Sequence, residues 1–233
     1  MEFKGSGLLL DIEGATSSIR FVHDVMFPYV REHLVFFLDT GWGDPEVVLA
    51  REQIAADAGT SGSADRRWVV DEVTRLMDGD VKATGLKQLQ GLIWRDGFES
   101  GRLVAHVYDD VVPALRRWRR QGVDVRIYSS GSVTAQKLFF GHTVHGDLLP
   151  LLGGHYDTWT GPKKEADSYR AIAHAFERPA DEILFVSDSL DELEAAREAG
   201  CATVLSIRPE NPPVDGEPGH PSIRSFDEIL IER

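Results

Sequence analysis

Cysteine is almost missing from this chain of 233 residues: Cys201 stands alone, so neither an internal disulfide nor a cysteine-rich zinc site can form. A solitary thiol also suits a reducing compartment. Positive charge is in deficit, with 25 Lys and Arg against 38 Asp and Glu and a net charge of −13. Nucleic acid is therefore a poor partner, because affinity for it rests on neutralising phosphates with Lys and Arg. The same sign gives a small anion no long-range steering, so a bound phosphate must be attracted locally, by a lysine, helix amides or a metal ion. Long apolar runs are missing too: none approaches the ~18 residues of a membrane span. The start Met-Glu-Phe-Lys-Gly lacks the basic region and apolar stretch of a secretory signal. The expectation is a cytoplasmic monomer with no membrane or nucleic-acid partner. Several motifs are absent as well. No Gly-x-x-x-x-Gly-Lys, Gly-x-Gly-x-x-Gly or His-Glu-x-x-His pattern occurs, and no Gly-x-Ser-x-Gly, which disfavours nucleotide folds, zinc hydrolases and serine hydrolases.

What is present reads as a globular protein, with 42% apolar and 27% charged residues. Gly7-Leu8-Leu9-Leu10-Asp11-Ile12 is a short apolar run before turn residues, the pattern of a buried parallel strand. Residues 19–107 read as wholly helical. Tyr29 to Leu38 follows Pro28, and Asp44-Pro45 opens a helix through about Ala58. Gly59-Thr60-Ser61-Gly62-Ser63 is a connector, and two amphipathic helices carry Trp68 to Met77 and Leu86 to Trp94. From about residue 110 helix and strand alternate: a helix over Val111 to Gln121, a strand over Val123 to Tyr128, and a helix over Val133 to Phe140. A glycine-rich stretch then runs to Thr160. A helix over Lys164 to Phe176 follows, then a strand over Glu182 to Val186, a helix to Ala199 and a strand over Ala202 to Ile207. Pro209 to Pro221, with five prolines, is loop. Such alternation predicts an α/β fold, a doubly wound parallel sheet, with an all-helical insertion after the first strand. The domains expected are an α/β core over 1–18 and 108–233 and a helical cap over 19–107.

Open α/β sheets bind ligands where their strands end at the carboxyl edge. Three polar clusters sit at such ends: Asp11-Ile12-Glu13, Ser129-Ser130 and Ser187-Asp188. Lys163 precedes a helix in the same half of the chain. Asp11 and Glu13 can divide labour, one carboxylate ionised as nucleophile or metal ligand and the other a general acid. Asp188 has two readings, a cap for the helix beginning at Ser189 or a ligand, with Asp11, for a divalent ion. Oxygen donors without thiolates favour Mg²⁺ over zinc. Ser129 and Ser130 either cap the next helix or cradle an anion with its free amides. Lys163 is read as phosphate-facing and its neighbour Lys164 as solvated.

A strand ending Asp-x-(Asp or Glu)-Gly, a later strand ending in Ser, a lysine before a helix and a strand ending in Asp resemble the haloacid dehalogenase superfamily. Asp11-Ile12-Glu13-Gly14, with glutamate as the second acid, is similar to the enolase-phosphatases, or acireductone synthases, of methionine salvage. Ile19 to Tyr29, Leu86-Lys87-Gln88-Leu89-Gln90-Gly91, Ile127 to Val133, Ala135 to Leu138, Phe140-Gly141-His142 and Asp157-Thr158 extend the likeness over about 8–208.

The resemblance implies that Asp11 is the nucleophile forming an aspartyl phosphate, and that Glu13 is the general acid and base, its backbone carbonyl joining the metal shell. It implies that Ser129, Ser130 and Lys163 hold the substrate, and that Mg²⁺ is held by Asp11, Glu13 and Asp188. The implied substrate is 2,3-diketo-5-methylthiopentyl-1-phosphate, enolised and then hydrolysed to the acireductone and phosphate. Glu13, Lys87 and His142 are the candidate bases for enolisation, and Lys87, Gln90 and Trp94 the inward-facing cap residues. The family's threonine after Asp-Ile-Glu-Gly is here Ala15, followed by Thr16. Two other readings stand beside this one: a phosphatase of the same superfamily acting on another small phosphate ester without enolisation, and an inactive relative serving as a scaffold. A dehalogenase is weaker, since a halide leaving group needs no second acid.

Overall fold

Six short segments pair in parallel to form the central sheet of a computed structural model that describes residues 1–60, 65–214 and 219–232. The strands are β1 (Glu2–Lys4), β2 (Gly7–Leu10), β3 (Asp124–Tyr128), β4 (Gly154–Tyr156), β5 (Ile183–Ser187), β6 (Ala202–Ser206), β7 (Ser222–Ile223) and β8 (Leu230–Glu232). The large sheet runs β4-β3-β2-β5-β6-β7, while β1 and β8 pair separately. The helices are α1 (Phe27–Gly41), α2 (Pro45–Asp57), α3 (Arg66–Asp78), α4 (Thr84–Glu99), α5 (Val111–Arg120), α6 (Val133–Gly141), α7 (Ala166–Phe176) and α8 (Leu190–Glu198). The chain divides into two units, one of residues 1–22 and 104–233, the other of residues 23–103.

In the first unit β2 is flanked by β3 and β5, and all of its residues are buried. A strand covered on both faces must be apolar throughout, which is why Leu8, Leu9 and Leu10 do not alternate with polar residues. From β3 the chain steps outward to β4, then returns to the other side of β2 with β5. The strand order therefore reverses next to β2, and that reversal opens the crevice in which α/β sheets bind ligands.

The second unit holds α1 to α4. Asp44 caps α2 by accepting from the Glu46 amide, and Asp65 caps α3 by accepting from the Trp68 amide. Gly85 lets α4 approach α2 closely, since a Cβ there would lie 2.4 Å from the Ile54 nitrogen. Leu34, Leu38, Ile54, Val73, Leu89 and Ile93 fill the interior.

The structure departs from the expected elements in specific places. The helical region ends at Glu99 and not at 107: Gly101 follows with a φ of +70°, and an irregular segment leads to α5. The stretch read as glycine-rich loop contains β4, and the short strands β1, β7 and β8 were not foreseen. The connector expected over Gly59 to Ser63 and the loop expected over Pro209 to Pro221 lie partly outside the described residues; what is described of the latter holds no strand or helix. Among the described residues no helix is long and apolar enough to cross a membrane.

Candidate active site

Asp11 leaves the sheet at the carboxyl end of β2, where its amide donates to the Val186 carbonyl of the neighbouring strand at 2.9 Å. The residue is buried, so each carboxylate oxygen needs a partner. Oδ1 accepts from the Ile12 amide at 2.8 Å, and Oδ2 accepts from Ser187 Oγ at 2.9 Å and lies 2.8 Å from Lys163 Nζ. The loop then turns sharply. The Ala15, Thr16 and Ser17 amides all point at the Ile12 carbonyl, and the Gly14 amide donates to Ser17 O at 2.8 Å. Gly14 has a φ of +68°, and a Cβ there would sit 2.3 Å from Asp188 Oδ2, so glycine is required twice over. Ala15, which stands at the family's threonine position, is fully buried, and Thr16 supplies a hydroxyl near the carbonyls of Asp11 (3.1 Å) and Ile12 (3.2 Å).

Lys163 reaches this loop from the segment before α7. The hydroxyls of Tyr128 and Tyr169 donate to the carbonyls of Gly161 and Lys163 at 2.8 and 2.6 Å, fixing the backbone on which it stands. Its ammonium lies between Asp11 and Glu192, with Nζ 2.6 Å from Glu192 Oε2. Burial alone would lower its pKa, but the two carboxylates outweigh burial and hold it above the usual lysine value. Lys164 is exposed and pairs with Asp191 at 2.7 Å.

Asp188 follows β5. Ser189, not Asp188, occupies the cap position of α8, so the helix-cap reading falls away. Burial, reinforced by the charge on Asp11, pushes the Asp188 carboxyl up to about 7, with Glu13 adding in the same direction and Lys163 opposing. Glu192 is likewise raised to about 7, mainly by burial and then by Asp11. Two carboxylates, Asp11 and Glu192, thus share one lysine.

Ser129 and Ser130 separate. Ser129 is buried, its hydroxyl accepting from the Gly131 amide at 3.2 Å, whereas Ser130 is exposed. Ser132 is the residue that caps α6. Gln136, 1% exposed, pins the serine loop through bonds from Nε2 to Gly131 O (2.8 Å) and Tyr156 O (2.7 Å). Asp157 secures it further by accepting from the Val133 amide at 2.9 Å.

His142 ends α6, its Nδ1 lying 2.9 Å from the Leu138 carbonyl. In the second unit Lys87 is exposed, Gln90 is buried and Trp94 donates to the Met26 carbonyl at 2.9 Å. Glu192 and Gln136 were missed as contributors, whereas Ser187 stood in one of the three strand-end clusters. A glutamate four residues after a strand-end aspartate, on the first turn of a helix, was the available signal for Glu192.

Comparison with known proteins decides the family. Residues 18–200 match the model of the haloacid dehalogenase-like hydrolases. Enolase-phosphatase E1 of Pseudomonas aeruginosa (strain UCBPP-PA14) is 46% identical over 225 residues, covering 97% of this chain and 98% of its own. This chain belongs to the enolase-phosphatase family of those hydrolases. Enolase-phosphatase E1 of Erwinia tasmaniensis is 46% identical with similar coverage, 97% and 96%. Among solved structures, the UTR4 protein of Saccharomyces cerevisiae superposes with a TM-score of 0.84 at 36% identity, over 97% of this chain and 100% of that one. CbbY of Rhodobacter sphaeroides, at 14% identity and a TM-score of 0.58, shares the fold.

Proposed function

We propose that this chain converts 2,3-diketo-5-methylthiopentyl-1-phosphate, through its enol phosphate, to the acireductone and inorganic phosphate, as an enzyme of methionine salvage. The observation that carries the reading is the buried Asp11 carboxylate, held 2.8 Å from Lys163 Nζ at the strand edge beside Asp188. The family membership selects the substrate.

Asp11 attacks phosphorus. The new bond joins a carboxylate oxygen to phosphorus as the bond from phosphorus to the enol oxygen breaks, splitting one hard displacement into two easier ones. Glu13 delivers a proton to the departing oxygen, then takes one from the water that attacks the acyl phosphate and frees Asp11. Lys163, Ser129 and Ser130 bind the phosphoryl oxygens, Lys163 offsetting the charge that develops on them. Glu13 is also the candidate base for the enolisation, because it is the one of the three that adjoins Asp11.

The donor set suits Mg²⁺. Asp188 and Asp11 offer hard carboxylate oxygens, the kind of donor that Mg²⁺ takes. Among the described residues no three His, Cys, Asp or Glu side chains form a ready cage, and Mg²⁺ needs none when waters and substrate oxygens complete its shell. Asp11, Asp188 and the Glu13 carbonyl are the proposed ligands, and the bound ion would polarise carbonyl and phosphoryl oxygens. The helical unit is proposed as the cap that supplies specificity, and the protein as a cytoplasmic monomer.

The test is incubation with the diketo phosphate, following the enol by absorbance and phosphate by colorimetry, with and without chelator. Transient enol followed by phosphate, both lost with chelator and restored by Mg²⁺, is expected. Phosphate release from other small esters with none from the diketone would favour the phosphatase that lacks an enolase step.

A further inference from the structure

The nucleophile loop is held from behind. Its three successive carbonyls, at Gly14, Ala15 and Thr16, each meet a different donor: Asn211 Nδ2 at 2.9 Å, Arg208 Nε at 3.0 Å and the Tyr108 amide at 3.1 Å. Arg208 and Asn211 both come from the segment that follows β6, nearly two hundred positions away in sequence. Asn211 Nδ2 also bonds its own strand end at Ser206 O, 3.0 Å away, so the amide ties β6 to the loop.

Arg208 is a buried anchor, its side chain 4% exposed. Nη1 donates to both oxygens of Asp110, at 3.1 and 3.0 Å, and to the Arg224 carbonyl at 3.0 Å. The guanidinium carbon lies 4.4 Å from the Tyr108 ring centroid and 4.8 Å from that of Phe226. Asp110 is in turn fixed by the Phe226 amide at 2.6 Å and Ser225 Oγ at 3.2 Å. A planar guanidinium packed against two rings, with Nη1 on Asp110 and Nε on the Ala15 carbonyl, has little freedom to move. Among the described residues, none of these side chains hydrogen-bonds or ion-pairs with Asp11, Lys163 or Asp188; they act on the backbone that carries Asp11.

We propose that Arg208 and Asn211 are positioning residues that fix the nucleophile loop, and with it the line of attack of Asp11, without touching substrate. The inference rests on Asp11 being the nucleophile. A carboxylate that must approach phosphorus in line is sensitive to displacement, and a shift of about 1 Å can cost on the order of 100-fold in rate. Substrate affinity is set by other groups, so the damage should fall on kcat.

The test compares Asn211→Ala, Arg208→Lys and Asp11→Asn with the wild type, measuring kcat and KM for phosphate release per folded molecule, with the folded fraction taken from circular dichroism. Arg208→Lys keeps the charge opposite Asp110 but lacks the fork that also reaches Ala15. For both positioning variants a fall in kcat of about 10- to 100-fold is expected, with KM within about threefold of wild type. A kcat per folded molecule within twofold of wild type for both variants would overturn the proposal, as would a loss seen only as raised KM. If Asp11→Asn is inactive while both variants are normal, the clamp alone fails. If Asp11→Asn turns over like wild type, the nucleophile assignment fails, and the clamp with it.

Discussion

Replacing Lys163 by Met leaves a buried carboxylate cluster without its cation. In the structure Lys163 Nζ sits 2.8 Å from Asp11 and 2.6 Å from Glu192, and the three side chains are 9%, 7% and 13% exposed. At an effective dielectric of about 20 each contact is a gross attraction of about 6 kcal/mol, most of it offset by the desolvation of the ions. Removing one partner of such a buried group typically costs about 3–5 kcal/mol, because the remaining charges stay buried. For a chain of this size that corresponds to a drop in Tm of roughly 6–20 °C. The cost should depend on pH. Asp188 and Glu192 already stand near 7, above their unfolded values, so the folded state binds more protons than the unfolded one between about 4.5 and 7. Losing Lys163 raises both further, and protonation then relieves the repulsion. In metal-free buffer the Tm gap between Lys163→Met and wild type is expected to be large at pH 8 and to narrow at pH 5.5. A gap under 2 °C at both values, measured by circular dichroism melting, would refute a lysine clasped by two buried carboxylates.

Other substitutions probe other parts of the fold. Gly14→Ala should abolish phosphate release, because its Cβ would lie 2.3 Å from Asp188 Oδ2 at a φ of +68°; turnover near wild type would show the loop to be more yielding. Glu177 ends α7 in the left-handed region with a φ of 56°, so Glu177→Gly should stabilise the fold by about 1 kcal/mol in urea unfolding, and a destabilised variant would contradict this. Burial, with Lys137 adding, lowers the His155 pKa to about 4, so the unfolded chain binds the extra proton first. His155 should therefore make stability fall as pH drops from about 6.5 to about 4, and His155→Gln should flatten that part of the profile in denaturant titrations.

The sheet was legible where a strand is buried on both faces. Gly7 to Leu10 and Ile183 to Val186 are apolar runs closed by polar residues, and helix-spaced apolar residues lie between them. β4 was not legible, because Gly154-His155-Tyr156 is a half-buried strand at the sheet edge with neither alternation nor an apolar run. β1, β7 and β8 are too short to carry a pattern, and their pairing joins distant parts of the chain. Among the site residues, Asp11 and Asp188 stood out because each follows a buried strand, and Lys163 because it precedes a helix. Glu192 looked like an ordinary charged residue in the acidic first turn of α8, and only the fold turns it toward Lys163. Arg208 and Asn211 lie in a proline-rich segment whose composition says loop, and their partners at Ala15 and Gly14 are backbone carbonyls, which leave no trace in side-chain pattern.

The most direct measurement is a rapid acid quench during turnover of the diketo phosphate with Mg²⁺ present, followed by mass spectrometry of the peptide that carries Asp11. An Asp11 nucleophile predicts a phosphoryl adduct on that peptide that appears before phosphate release and is missing in Asp11→Asn. Turnover with no adduct at any quench time, together with an Asp11→Asn variant as fast as wild type, would contradict it.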